Sequence, residues 1–145
     1  MTRRLILILT LVALLNAACS GQVAQTQPLT SSVVELPDFL NDQPVRVREA
    51  YEFAATHHEA LETVPCYCGC GAMGHASNLA CYVQAIDEAG TITYDNHAAG
   101  CGICVDITQD VMRMTLEGKS AREIRAAIDA QYSQFGPSTD TPLPS

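Results

Sequence analysis

The pattern of apolar and polar positions predicts a helix in the first half of the chain. Apolar residues recur close to every 3.6 positions, as Val47, Ala50, Tyr51, Ala54 and Leu61. This spacing predicts an amphipathic helix over residues 45–63, broken near its two adjacent histidines and ended by Pro65. Pro44 suits the first turn of this helix, and Asp42 lies just upstream as a cap.

Two further helices are predicted in the C-terminal third of the chain. One opens at residues 100–104 and closes at Gly118, with an apolar stripe of Ile103, Ile107, Val111 and Met114. Residues 120–123 form a capping-box pattern and start the other, whose expected buried face is Ile124, Ala127, Ile128 and Tyr132. The short connection predicts an antiparallel pair. Residues 137–145, rich in Pro and Ser, are predicted to be a disordered tail.

The segment between these helices is compatible with two structures. It can form a short helix from Ser77 to Gly90, carrying Leu79, Val83 and Ile86. It can also form a small hairpin, with strands at 81–83 and 91–94, and the β-branched alternation of the second strand favours this choice. The predicted fold is therefore mainly α: a small helical domain with a Cys-rich loop, a short β-hairpin and a C-terminal antiparallel helix pair.

The N-terminal residues have the pattern of an export signal. Arg3 and Arg4 precede an apolar stretch that is too short to span a bilayer, and small residues follow directly before Cys19. This arrangement resembles the lipobox of bacterial lipoproteins, in which the Cys is diacylated and becomes the mature N-terminus. Residues 1–18 are thus predicted to be a signal peptide, and residues 19–44 a lipidated Cys followed by a flexible tether. The expected location is extracytoplasmic, anchored to the cell membrane by lipidated Cys19.

The charge of the chain argues against one class of partner. The formal net charge is −8, and loss of residues 1–18, which hold two arginines and no acids, makes it −10. An acidic protein is a poor candidate for binding nucleic acid. The charge is compatible with a bound cation or a basic protein partner.

The most informative stretch places three thiols at every second residue, at Cys66, Cys68 and Cys70. Such thiols converge when a glycine-containing loop wraps round a small ion, and Gly69 and Gly71 supply the backbone freedom for this. Further thiols and imidazoles follow within the next forty or so residues. The candidate metal ligands are Cys66, Cys68, Cys70, His75, Cys81, His97, Cys101 and Cys104.

The donor types favour a soft metal ion. Thiolates without a nearby cluster of carboxylates suit Cu(I) and Zn(II) and disfavour Ca(II) and Mg(II). The surplus of thiols and the export signal favour copper, with more than one ion as an option. Two alternatives remain open: a framework of structural disulfides, and thiol-disulfide exchange by Cys101 and Cys104 at the start of a helix. No catalytic motif stands out, so the sequence does not predict an enzyme.

The chain resembles the bacterial PCYCGC-motif lipoproteins over residues 45–135. The likeness rests on the run at residues 65–71 and on Gly74-His75, Ser77, Cys81-Tyr82, His97, Gly100-Cys101 and Ile103-Cys104. This family is defined by its motif, and its function is not established. A second, shorter stretch, Glu117-Gly118-Lys119-Ser120 with Glu123-Ile124 and Tyr132, is similar to the closing helix of the CcmH-like thiol reductases of cytochrome c maturation. That likeness implies a helical hairpin.

The sequence therefore predicts a membrane-anchored, extracytoplasmic domain that binds a soft metal ion for sequestration or delivery. Its expected ligands are Cys66, Cys68, Cys70 and Cys81, with Cys101, Cys104 and His75 completing one or two sites. The expected partners are the membrane and an exported cuproenzyme or redox partner. The alternatives are a thiol-disulfide oxidoreductase or cytochrome/oxidase maturation factor, and a disulfide-stapled interaction module.

Overall fold

The structure is a computed structural model that describes residues 34–145. The predicted signal peptide and Cys19 lie outside the described residues, as does most of the predicted tether. The α-helices are α1 (Val45–Thr56), α2 (His58–Glu62), α3 (Gly102–Leu116) and α4 (Ala121–Tyr132), and the strands are β1 (Val83–Ile86) and β2 (Ile92–Tyr94). Four 3-10 turns lie at Asp38–Leu40, Cys70–Met73, Leu79–Cys81 and His97–Gly100. The predicted fold class is confirmed: the domain is small and mainly α.

The first predicted helix is confirmed together with its break. The break falls at His57, whose φ of −135° and ψ of 46° interrupt the helical backbone between α1 and α2. The predicted cap is wrong, because Pro44 occupies the N-cap position and no side chain caps the helix. A capping side chain must sit at that position, and Asp42 lies two residues too far upstream.

The hairpin is confirmed in place of the short helix. Strand β1 pairs antiparallel with β2, in the register Val83 with Tyr94 and Ile86 with Ile92. The turn between them is held by Asp87, whose Oδ1 accepts the N–H groups of Ala89 at 2.9 Å and Thr91 at 2.8 Å. The first strand starts two residues later than predicted because residues 79–81 form a 3-10 turn instead.

The C-terminal helix pair is also confirmed. The capping box at the start of α4 is complete, and Gly118, with a φ of 73°, lies in the connection from α3. Near the end of α4 the Tyr132 hydroxyl donates to Asp110 Oδ2, in the middle of α3, at 2.8 Å, as an antiparallel arrangement requires. The predicted burial of Ala127 is wrong. The buried stripe of α4 is narrower and consists of Ile124, Ile128 and Tyr132.

The hydrophobic core continues directly into the Cys-rich loop. Helix α3 packs against both α1 and α4. Inside this packing the rings of Tyr51 and Tyr82 meet edge to face at 4.9 Å, and buried thiols belong to the same apolar cluster. The site therefore rests on the rigid core. Within residues 34–145, no helix combines the length and the apolar character needed to cross a membrane.

Candidate metal centre

Seven of the eight predicted donors lie outside the α-helices and strands, and Cys104 lies in the first turn of α3. Cys66 and Cys68 follow α2, Cys70 opens a 3-10 turn, and Cys81 closes another. On the opposite side of the site, His97 opens the last 3-10 turn, Cys101 is the N-cap of α3, and Cys104 lies in its first turn. The directions of the seven donor side chains outside α3 are therefore set by local backbone angles.

Two glycines reverse the chain around Cys70. Gly69 and Gly74, on either side of the 3-10 turn, have φ values of 83° and 91°. Residues with a side chain rarely adopt this left-handed conformation, so glycine is required there. Gly71 does not have a positive φ, contrary to the sequence prediction. A methyl group at Gly71 would instead lie 3.8 Å from Cγ2 of Thr139.

The first group of donors brings the two ends of the loop together. Cys68, His97, Cys101 and Cys104 place one donor atom each within 4.8 Å of the others. Cys68 Sγ lies 3.4 Å from His97 Nε2 and 3.6 Å from Cys104 Sγ. With Zn–S and Zn–N bonds of about 2.3 and 2.0 Å, a tetrahedral site has S···S edges of about 3.8 Å and S···N edges of about 3.5 Å. The observed distances match these edges closely.

The second group lies on the other side of the loop. Cys70, His75, Cys81 and His97 also place their donor atoms within 4.8 Å of one another. Cys70 Sγ is 3.6 Å from Cys81 Sγ, and Cys81 Sγ is 3.4 Å from His75 Nδ1. These distances again match the edges of a tetrahedral site. His97 is the donor that the two groups share.

Cys66 lies between the two groups. Its sulfur is 3.3 Å from the sulfurs of both Cys68 and Cys104. It also lies within 4.8 Å of Cys70 and of Cys81. Cys66 is fully buried, and the hydrogen bond from the Cys104 thiol holds its pKa well below the usual range.

Asp95, which the sequence did not single out, contacts both histidines. Its Oδ1 accepts the backbone N–H of His97 at 2.7 Å, and its Oδ2 lies 3.8 Å from His75 Nε2. Since Nδ1 of His75 faces Cys81, the carboxylate stands behind the imidazole on the side away from the thiol. Carboxylates in this position fix the tautomer and the orientation of metal-binding histidines. The signal in the sequence was an Asp two residues before a His, a common turn pattern.

The C-terminal residues hold Cys66 in place. Cys66 N–H donates to Thr139 Oγ1 at 2.9 Å, and Thr139 N–H donates to the Cys66 carbonyl at 3.0 Å. Thr141 Oγ1 donates to the Ala76 carbonyl at 2.6 Å, and Arg125 donates to the carbonyls of Thr63, Thr141 and Pro142. This differs from the disordered tail that the sequence predicts. The backbone polar groups of the loop need partners once they are buried, and the tail supplies them.

Removing the hydroxyl of Thr139 should destabilise the loop. Thr139→Val keeps the shape of the side chain but leaves the buried N–H of Cys66 without its acceptor, which costs about 1–3 kcal/mol. We expect the free energy of unfolding in urea to fall by that amount. Ser138→Ala, at the exposed neighbouring position, is the matched control and should leave it unchanged. Equal stability of the two variants would show that the tail does not support Cys66.

All eight predicted donors meet in one place, and together they can hold a metal ion. The predicted grouping of Cys68 with Cys81 is not among the donor groups of residues 34–145, where Cys68 joins Cys101 and Cys104 instead. Cys19, the predicted lipidation site, lies outside the described residues. The six described thiols are all free.

Comparison with known proteins gives one match. A family model described as "Protein of unknown function with PCYCGC motif" matches residues 13–144, which include all eight donors. No curated protein and no solved structure matches the chain. The likeness to the CcmH-like proteins therefore stays a prediction. The chain belongs to the PCYCGC-motif family.

Proposed function

We propose that this protein binds a soft metal ion in its Cys/His cluster and either sequesters the ion or delivers it to another protein. The observation that carries the proposal is the convergence of six thiols and two imidazoles at the distances of metal ligands. Cu(I) is the favoured ion and Zn(II) the next, since thiolates and imidazoles suit both. The surplus of thiols favours copper.

The surroundings of the cluster support a preference for soft ions. Ca(II) and Mg(II) require several oxygen ligands. The carboxylate of Asp95 lies 3.8 Å from Nε2 of His75, on the side of the imidazole away from the thiols. In this position it supports His75, and the thiols remain the ligands of the ion.

The unequal burial of the donors supports exchange of the ion with a partner. Cys66, Cys70, Cys81 and Cys104 are buried, while Cys68, His75, His97 and Cys101 are partly exposed. A ligand from a partner protein can approach the exposed side and displace donors one at a time. Transfer then proceeds without unfolding of the domain.

The proposed location and partner rest on the sequence. Lipidation at Cys19 would anchor the protein to the cell membrane on its extracytoplasmic side. The partner we propose is an exported cuproenzyme or redox protein with a basic surface, which would complement the net negative charge of this chain. The same charge makes nucleic acid an unsuitable partner.

Thiol-disulfide exchange is the second candidate function. It is favoured by the position of Cys101 as the N-cap of α3 and of Cys104 in the first turn, which is the arrangement of a Cys-x-x-Cys pair at a helix N-terminus. In this function the protein would act as an oxidoreductase or a maturation factor for cytochromes or oxidases. The half-buried Cys101 would be the thiol that a substrate reaches.

Elemental analysis combined with free-thiol counting on the purified full chain tests these functions. We expect bound copper or zinc, with most of the six cluster thiols protected from alkylation until a chelator is added. A metal-free chain with a reversible disulfide between Cys101 and Cys104 would favour the second function. A metal-free chain with no free thiols in the cluster, which fails to load Cu(I) after reduction, would refute the proposal and make the cysteines structural.

A further inference from the structure

The geometry points to two metal ions held side by side, one exchangeable and one retained. This inference rests on the proposed function and adds the number of ions, the ligands of each and the role of each. The cluster contains eight donors, twice the number that a tetrahedral soft ion uses. His97 lies within reach of both four-donor groups, so we assign it to the group of Cys68 and let Cys66, whose sulfur is within 4.8 Å of those of Cys70 and Cys81, take its place in the other. Each of the two resulting sets then contains three thiols and one imidazole.

The outer set consists of Cys68, His97, Cys101 and Cys104. All four donor atoms lie within 4.8 Å of one another, so this set closes around one ion without any change of fold. Only Cys104 is buried, and the other three side chains are partly exposed. An incoming ligand can therefore reach this ion directly.

The inner set consists of the remaining donors, Cys66, Cys70, His75 and Cys81. The three sulfurs lie within 4.8 Å of one another, and His75 Nδ1 lies 3.4 Å from Cys81 Sγ. All three thiols are buried, and the side chain of His75 is 13% exposed, with Asp95 behind it. An ion in this set is shielded from solvent and from competing ligands.

This division assigns neighbouring thiols of the sequence motif to different ions. Cys66 and Cys70 belong to the inner set, whereas Cys68 between them belongs to the outer set. The sulfur of Cys66 is 3.3 Å from both Cys68 and Cys104, so the two sets are in contact. With this spacing, successive thiols of the motif bind alternately to the inner and the outer ion.

The difference in shielding gives the two ions different roles. Because solvent access controls how readily a bound metal is attacked, the outer ion is the cargo that leaves for a partner. The inner ion stays and holds the loop, with its two left-handed glycines, in the shape that the outer set requires.

Removal of Cd(II) by a chelator tests this inference on the full chain. Cd(II) is a soft probe ion, and its bonds to thiolates absorb in the ultraviolet, so loss of each ion is visible. We expect two ions per chain by elemental analysis. On addition of excess EDTA the absorbance should fall in a fast and a slow phase of similar amplitude, because each ion has three thiolate ligands.

Two Cys→Ser variants and one control assign the phases. Cys101→Ser should remove the fast phase and Cys81→Ser the slow one, while Leu116→Ser, at an exposed position at the opposite end of α3, should leave both. One ion per chain, a single phase in the unaltered chain, or loss of both phases in Cys101→Ser would overturn the inference and leave the proposed function standing. Failure to bind any Cu(I), Zn(II) or Cd(II) would overturn the proposed function itself. The unaltered chain decides the count and the two phases even if Cys81→Ser does not fold.

Discussion

Replacing Cys68 by serine is expected to weaken Cu(I) binding at the group formed with His97, Cys101 and Cys104 by more than about 100-fold. Mutations of residues that only support a ligand typically lower metal affinity about 10–100-fold, and loss of a direct ligand has a larger effect. A serine hydroxyl is a hard donor that stays protonated at neutral pH, so it does not replace the thiolate. Because Cys68 is partly exposed, the fold should tolerate the smaller atom.

Competition with a chromophoric Cu(I) chelator measures this affinity. Leu116→Ser is the control, since it introduces a serine at an exposed position at the far end of α3, and its titration should equal that of the unaltered chain. Circular dichroism of both variants should report unchanged helix content. Full Cu(I) binding by a folded Cys68→Ser variant would remove Cys68 from the ligand set.

Removing the metal is expected to lower the stability of the domain by several kcal/mol. A ligand that binds only the folded state stabilises it by about 2.7 kcal/mol at 100 times its dissociation constant, and by about 4.1 kcal/mol at 1,000 times. The effect should be local. Residues 66–104 contain one short hairpin and three 3-10 turns, whereas the packing of α1, α3 and α4 rests on apolar side chains such as Tyr51, Ile107 and Ile128.

Thermal unfolding with and without a chelator measures the change in stability, and hydrogen exchange locates it. Backbone amides of residues 66–104 should lose protection when the metal is removed, and those of α1 and α3 should retain most of theirs. Identical unfolding temperatures and identical exchange in the two states would show that no ion contributes to folding. Such a result would favour thiol-disulfide exchange as the function of the cluster.

The helices were predictable because their signals are local. A 3.6-residue apolar period and a capping box depend on residues within one or two turns, and these signals located α1, α3 and α4 correctly. Ala127 is the exception. The apolar period includes this residue, but the stripe that α4 buries is narrower and consists of Ile124, Ile128 and Tyr132.

The residues that cluster were predictable, but their arrangement was not. Cys and His are recognisable as soft donors wherever they occur, so the sequence indicates all eight residues that the structure brings together. The direction of each thiol depends on backbone angles such as the φ of 83° at Gly69, and on which distant segment pairs with Cys66. Neither the backbone angles nor the pairing of distant segments can be read from the spacing of the cysteines and histidines. Thr139 was missed because a Pro- and Ser-rich segment gives no sign of the partner that orders it.

The pairing of Thr139 with Cys66 also determines when the loop around Cys66 is held in place. These residues lie 73 positions apart in the chain, and Thr139 follows all eight candidate donors. A growing chain that has not reached residue 139 already carries the six thiols of the cluster, but Cys66 still lacks the backbone partners that hold it. The loop is thus supported only after the segment that contains Thr139 has been synthesised.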